Sequence, residues 1–257
     1  MPTLATLASK GRPEPVDQKT RYALKHDQFV DTTAHGLEWA SQHRRTVMMT
    51  ISSIVVAVLV IVAAVVGYNM RSSRAADALG AALATYQTQI APAGEAVPPG
   101  MKTFSSVAER AKAANQLFTE VADRYNMTPS GRTARYFSGL AYLDQGQTDS
   151  AESALKTVSG GWNRDLASLS KLALAQIYRQ TGRTQQAIDL YNQIAARPTK
   201  AVPASTALLQ LAELYESQNQ PDQAKKIYAQ IKDKDPKGAG GMIAARRLSQ
   251  PSAPPAF

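Results

Sequence analysis

The feature that most constrains the fold is a pattern that recurs in three copies, at intervals of 36 and then 37 residues. Each copy has a small residue, a tyrosine, a glycine or asparagine, an alanine, a bulky residue and a β-branched residue in the same order. The aligned sets are Gly139, Ala175 and Ala212; Tyr142, Tyr178 and Tyr215; Gly146, Gly182 and Asn219; Ala151, Ala187 and Ala224; Leu155, Tyr191 and Tyr228; and Val158, Ile194 and Ile231. Small residues let two helices approach closely, and glycine or asparagine supplies the positive φ that ends a helix. Each copy therefore predicts two antiparallel helices joined by a tight turn.

The residues after each turn are ones that start helices. Thr148 and Thr184 are predicted to cap the second helix of their copies with a hydroxyl, and Pro221 has the φ preset for a first helical position. The whole pattern resembles the tetratricopeptide repeat, with Pro236 closing the third copy, and the resemblance covers Arg132 to Pro236. It departs in lacking a tryptophan at the repeat start and in exceeding the usual length of about 34 residues. The alternative is an unrelated helical bundle, which the aligned starts and stops disfavour.

A fourth, irregular unit precedes the three copies. Ala114, Phe118 and Val121 repeat the second-helix pattern 37 residues before Ala151, Leu155 and Val158. The first helix of this unit is predicted over Arg74 to Ile90, with the segment Ala91 to Gly100 as a loop. A short capping helix is predicted over Met242 to Leu248, after Gly238, Gly240 and Gly241, with a proline-rich tail behind it. The expected fold is all-α: a tetratricopeptide-repeat superhelix of about three and a half to four helix pairs after a single transmembrane helix.

The segment Val47 to Tyr68 has 22 residues without a charge, which as a helix would span about 33 Å and match the hydrocarbon core of a bilayer. A cleaved signal peptide is the alternative, and it is disfavoured because 46 residues precede a stretch longer than such peptides carry. The predicted organisation is therefore a tail over 1–46, a transmembrane helix over 47–69, a linking helix, loop and irregular repeat over 70–130, three repeats over 131–237, and a cap and tail over 238–257.

The distribution of positive charge predicts the orientation. The N-terminal tail carries seven Lys and Arg, against Arg71 and Arg74 just after the apolar segment, which favours a cytoplasmic tail and an exported C-terminal domain. Within the tail, apolar residues recur at helical spacing and predict an amphipathic helix. They are Tyr22, Phe29, Val30, Ala34, Leu37 and Ala40. This helix lies on lipid or against a partner, or simply continues the transmembrane helix.

Composition argues against an enzyme. The chain has no cysteine, and its three histidines, His26, His35 and His43, lie in the first 46 residues at spacings that put no two on one helical face. There is no GxSxG, no Gly-rich phosphate loop and no metal-ligand spacing, so we expect no catalytic residue, no metal, no cofactor and no small-molecule substrate. The net charge of +9 has a basic cluster near the C-terminus, but no nucleic-acid-reading motif accompanies it. That cluster is read first as a solvated surface, with anionic lipid or an acidic partner as alternatives.

The resemblance implies a peptide-binding groove lined by the first helix of each repeat. Carried onto this chain, the groove positions are Tyr136, Leu140, Leu143, Asp144, Gln176, Arg179, Gln180, Leu209, Glu213 and Glu216. The set is mixed: it is mainly apolar in the first copy and mainly acidic in the third.

The order of tail, single anchor and repeats, with segments such as Phe118 to Tyr125 and Tyr136 to Gly146, is similar to the YfgM family of single-span bacterial inner-membrane proteins. That resemblance implies a scaffold that assists newly exported chains at the Sec translocon, with translocon subunits and periplasmic chaperones as partners. Two hypotheses compete with it. One is a scaffold for cell-wall or outer-membrane assembly with the same topology. The other is an enzyme or enzyme regulator with a ligand pocket in the groove, which the absence of cysteine and of any histidine after His43 disfavours.

Overall fold

The computed structural model describes residues 43–91 and 100–249, and all regular elements in these ranges are helices. In chain order they are α1 Arg44–Tyr86, α2 Val107–Arg124, α3 Pro129–Asp144, α4 Thr148–Ser159, α5 Arg164–Gln180, α6 Thr184–Ala196, α7 Ala204–Ser217, α8 Pro221–Lys234 and α9 Ala239–Ser249. The predicted all-α repeat fold is confirmed. The predicted amphipathic helix, His26, His35 and the proline-rich tail lie outside the described residues.

The three tight turns have the same backbone geometry. Gly146 and Gly182 both have φ of 73° and Asn219 has φ of 59°, so the predicted left-handed residues are confirmed. In each turn the residue after the left-handed one donates its N–H to the carbonyl of the repeat tyrosine, at 2.8–2.9 Å. The pairs are Gln147 to Tyr142, Arg183 to Tyr178 and Gln220 to Tyr215. These bonds satisfy carbonyls that the helix end would otherwise leave without a partner.

The aligned residues of the second helices form the centre of the core. Ala151, Ala187 and Ala224 have at most 1% of their surface exposed, and the bulky residue that follows each of them is equally buried. The small residue of the first helices allows close approach: a Cβ on Gly139 would lie 2.7 Å from Leu155 Cγ. The period in the sequence is therefore a packing period.

The predicted hydroxyl caps at Thr148 and Thr184 are wrong. Both threonines are the first residue of their helix, and no side chain caps α4 or α6. The reason is the shortness of the turn, because the left-handed residue lies only two positions before each threonine. Side-chain caps occur instead on α2, α3 and α5, where Ser106, Thr128 and Asn163 each accept a backbone N–H at 3.1 Å.

The chain forms two units, residues 1–66 and residues 67–257. The described part of the first unit is the apolar start of α1, whose side chains from Met48 to Val66 are exposed. In the second unit, the last turns of α1 pack on α2: Ala75 and Ala82 are fully buried in one cluster with Ala114 and Phe118. The end of α1 thus supplies the first helix of the irregular repeat.

Helix α9 begins at Ala239, three residues before the predicted start. Gly240 and Gly241 therefore lie inside the helix, not before it. A Cβ on Gly240 would lie 2.5 Å from Ser205 Cβ, and one on Gly241 would lie 1.8 Å from the carbonyl oxygen of Asp235. These glycines allow α9 to sit close to the last repeat, which the sequence pattern alone did not indicate.

Candidate functional site

The ten predicted groove residues all lie on the first helices α3, α5 and α7. Four of them, Tyr136, Leu140, Leu143 and Leu209, are half-buried and pack against the main core. Four polar positions, Asp144, Gln176, Gln180 and Glu216, are exposed, while Arg179 and Glu213 are half-buried. The predicted set therefore combines partly open apolar side chains with accessible polar ones.

The apolar part of the set borders an aromatic cluster. Tyr136 contacts Phe137 edge to face at 5.3 Å between ring centroids, and Phe137 stacks on Phe118 at 5.5 Å. Tyr86 from α1 joins this cluster and donates its hydroxyl to Asp144 Oδ2 at 2.7 Å. Burial, followed by the bond to Asp144, raises the pKa of Tyr86, and burial raises that of Tyr136. Asp144 is thus hydrogen-bonded to a residue of the irregular unit that precedes the three aligned copies.

Tyr86 was not among the residues that the sequence predicted for this site. Tyr86 and Asp144 are 58 residues apart, and no repeat position marks Tyr86. One sequence feature could have indicated its role: Tyr86 is an aromatic residue near the end of the helix predicted over Arg74 to Ile90.

Tyr191 is a buried tyrosine that is influenced electrostatically by both the middle and the acidic parts of the set. Burial raises its pKa, the charge of Arg179 on α5 lowers it, and the charge of Glu213 on α7 raises it. The hydroxyl is buried and has no hydrogen-bond partner among the described residues. Charged residues of two successive first helices therefore act on one buried side chain.

The acidic part is contacted by the capping helix. Arg247 of α9 has guanidinium nitrogens 4.0 Å from carboxylate oxygens of both Glu213 and Glu216. Gln210 donates to Glu213 Oε2 at 3.1 Å. In the sequence, Arg247 belongs to the basic cluster near the C-terminus, and nothing pairs it with the groove. Its proximity to Glu213 and Glu216 results from the packing of α9 against the last repeat.

The described residues contain no group of three or more His, Cys, Asp or Glu that could hold a metal ion. Within these ranges α1 is long and apolar enough to cross a membrane, judged by length and composition. Its most apolar stretch of 18 residues has a mean hydropathy of 2.9, and none of these residues is buried in the structure.

Two solved structures are similar to this chain. Both are crystal structures of nearly identical TPR-like repeats assigned to a Podosopora anserina kinesin light chain, one of them carrying a single substitution. Each is 19% identical over 69% of this chain and 84% of the other, with TM-scores of 0.50 and 0.49. No curated protein sequence matches the chain.

Two family models match the sequence. A tetratricopeptide repeat model matches residues 206–238, and the model of the tetratricopeptide repeat-like domain matches residues 49–202. The second match covers more than half of the chain and includes both the end of α1 and the helix pairs through α6. With the helix pairs, turns and packing period described above, the chain belongs to the tetratricopeptide repeat-like domain family.

Proposed function

We propose that this protein is a membrane-anchored scaffold that holds peptide segments of other proteins along α3, α5 and α7. Tetratricopeptide repeats are protein-interaction modules, and the fold is typical of non-catalytic scaffolds. The observation that carries the proposal is the half-open face of the first helices. There Tyr136, Leu140, Leu143 and Leu209 keep part of their apolar surface accessible beside polar side chains. Partly exposed apolar anchors with polar neighbours are what an extended peptide needs for affinity and register.

Two observations support membrane anchoring. The side chains of α1 from Met48 to Val66 are exposed and almost all apolar. Exposure of this apolar surface costs free energy in water but not in the hydrocarbon core of a bilayer. The family match also begins at residue 49, so the apolar segment belongs to what the family shares. The excess of Lys and Arg before the segment supports a cytoplasmic N-terminus and an exported repeat domain.

Within this architecture we infer a role at the bacterial inner membrane, in the export or early folding of secreted chains. The support is the likeness to the YfgM family in the order of tail, anchor and repeats. Such a role requires contact with translocon subunits or periplasmic chaperones. Contact with enzymes of wall or outer-membrane assembly would support the alternative scaffold role.

Topology is tested by fusing alkaline phosphatase, which is active only after export, behind Ser249. We expect an active fusion that stays in the membrane pellet after alkaline carbonate extraction. An inactive fusion, or one released by carbonate, would contradict the anchored and exported arrangement.

The groove is tested by site-specific photo-cross-linking in cells. A photoreactive residue is placed at Leu143, Arg179 or Glu213, with Gln186 and Lys225 on the second helices as exposed controls. We expect groove positions to capture export components or chains in transit, and control positions to capture them poorly. Equal capture at both sets would contradict the groove assignment.

A further inference from the structure

A cleft of about 580 Å³ lies between the N-terminal half of α5, the C-terminal end of α6 and the loop that joins α4 to α5. Ala167 and Ile194, both buried, form part of its floor, and Gly161 lines it from the loop. Arg164, Lys171 and Arg197 line it with charge. We refer to the space between these six residues as the basic cleft.

The charge of the basic cleft is not compensated. Its charged lining residues are all cations, and none of the three takes part in an ion pair among residues 43–91 and 100–249. Lys171 Nζ donates to Gln193 Oε1 at 3.2 Å, a neutral partner that leaves its charge in place. Asp165, the nearest acidic residue in sequence, has a carboxylate oxygen that accepts the backbone N–H of Ala201. Three unpaired cations around a recess favour a ligand that carries carboxylates.

An exposed tryptophan stands beside the cleft. Trp162 follows Gly161 in the α4–α5 loop and has 71% of its surface exposed. The guanidinium of Arg132 lies 4.4 Å from the centre of its ring. Gly161 also lines a second, smaller cleft of about 260 Å³ that includes Arg132. Tryptophan and arginine are the residues that most often dominate the binding energy of protein interfaces.

This surface is separate from the candidate groove. Helix α5 contributes Arg164 and Lys171 to the cleft from its N-terminal half, and Gln176, Arg179 and Gln180 to the groove from its C-terminal half. At 1.5 Å per residue, the nearest of these residues, Lys171 and Gln176, are about 7.5 Å apart along the helix axis, and Arg164 and Arg179 about 22 Å. No residue lines both surfaces, so binding at the cleft does not depend on the proposed function of the groove.

We propose that the basic cleft and Trp162 bind an acidic segment of a partner protein, rich in aspartates or glutamates. The carboxylates of this segment pair with Arg164, Lys171 and Arg197 around the cleft. A peptide fits this arrangement better than a lipid surface, because planar headgroups meet protruding charges whereas these cations surround a recess between two helices. Trp162 extends the contact over the loop.

The test uses the full chain in a neutral detergent and a fluorescein-labelled peptide of glutamates. Fluorescence anisotropy gives its affinity for the wild type, for Arg164→Glu/Arg197→Glu, and for the matched control Lys225→Glu/Lys232→Glu, which changes exposed cations of α8 by the same net charge. We expect the cleft variant to bind at least tenfold more weakly and the control to change less than about threefold. Equal weakening in both, or no wild-type binding, would overturn the proposal.

Two further arms separate the remaining possibilities. Trp162→Ala should weaken peptide binding at least threefold. Glycerol phosphate, the headgroup chemistry of anionic lipids, should not displace the peptide. Displacement by glycerol phosphate, or unchanged binding in Trp162→Ala, would overturn the assignment of this cleft to an acidic protein segment.

Discussion

Arg183 donates hydrogen bonds to both carboxylate oxygens of Glu152, at 2.9 and 2.6 Å, and joins two consecutive repeats. Glu152 lies on α4 and is 92% buried, while Arg183 lies in the turn between α5 and α6. Lys156 Nζ is 2.6 Å from the same carboxylate, and the Arg183 guanidinium lies 4.4 Å from the centre of the Tyr178 ring. The pair therefore links a second helix to the turn of the next unit.

Replacing Glu152 by Gln should lower the free energy of unfolding by about 2 kcal/mol, because the charge-assisted bonds are lost at a buried position. The measurement is urea unfolding of the full chain in detergent, followed by circular dichroism. Glu120→Gln is the control, since Glu120 and Arg124 are both about two-thirds exposed and 3.8 Å apart; it should cost at most about 0.5 kcal/mol. Equal losses in the two variants would contradict this account.

The same pair predicts a pH dependence. The hydrogen bond from Arg183, and then that from Lys156, lowers the pKa of Glu152 from its ordinary 4.5 to about 2. Because the folded pKa lies below the unfolded one, the stabilisation is complete above about pH 4.5 and is lost as the pH falls toward 2. The stability difference between wild type and Glu152→Gln should therefore be constant near neutrality and shrink over that acidic window. A difference that persists unchanged below pH 3 would show that the carboxylate is not its source.

Gly131→Ala and Gly80→Ala should have opposite effects on stability. A Cβ on Gly131 would lie 2.0 Å from the carbonyl oxygen of Tyr125, a backbone atom that cannot rotate away. We expect a loss of about 1–3 kcal/mol as the α2–α3 turn shifts. Gly80 is exposed on α1 with open space around it, so alanine there should stabilise the helix by about 0.5–1 kcal/mol. Thermal and urea unfolding of both variants measure the change in the free energy of unfolding. Changes in the same direction in the two variants would refute this prediction.

The repeat turns give a third contrast. Gly182 has φ of 73°, so Gly182→Ala should cost about 1–2 kcal/mol although no atom blocks the side chain. Gly160 has φ of –91° and equally open surroundings, so Gly160→Ala should be close to neutral. Asn219→Gly, at φ of 59°, should change stability by no more than a few tenths of a kcal/mol. Urea unfolding measures all three, and a neutral Gly182→Ala would contradict the conformational argument.

The periodic part of the fold could be predicted from the sequence because each aligned position has similar burial or the same backbone conformation in every copy. Ala187 is buried where Ala151 is, and Asn219 adopts the φ that Gly146 adopts. Helix starts were less predictable: a threonine two residues after a left-handed turn can stand at the cap or just inside the helix. Thr148 and Thr184 stand inside.

The features that break the period were not predictable. Glu152 and Arg183 are 31 residues apart, and neither occupies one of the six repeat positions, so nothing in the pattern pairs them. Tyr86 reaches Asp144 from a helix that lies before a long interruption of the repeat. The early start of α9 depends on how closely two glycines let it approach Ser205 and Asp235. Such contacts follow from tertiary geometry rather than from spacing.

Because Ala75 and Ala82 of α1 complete the packing on α2, the boundary of the folded repeat domain cannot be drawn where the recognisable repeats begin. A fragment that starts near residue 70 retains both alanines. A fragment that starts at Val107 lacks the residues that cover Ala114 and Phe118 and exposes their apolar surface to water. Any proteolytic fragment that preserves this packing therefore begins upstream of Ala75 and includes the last turns of α1.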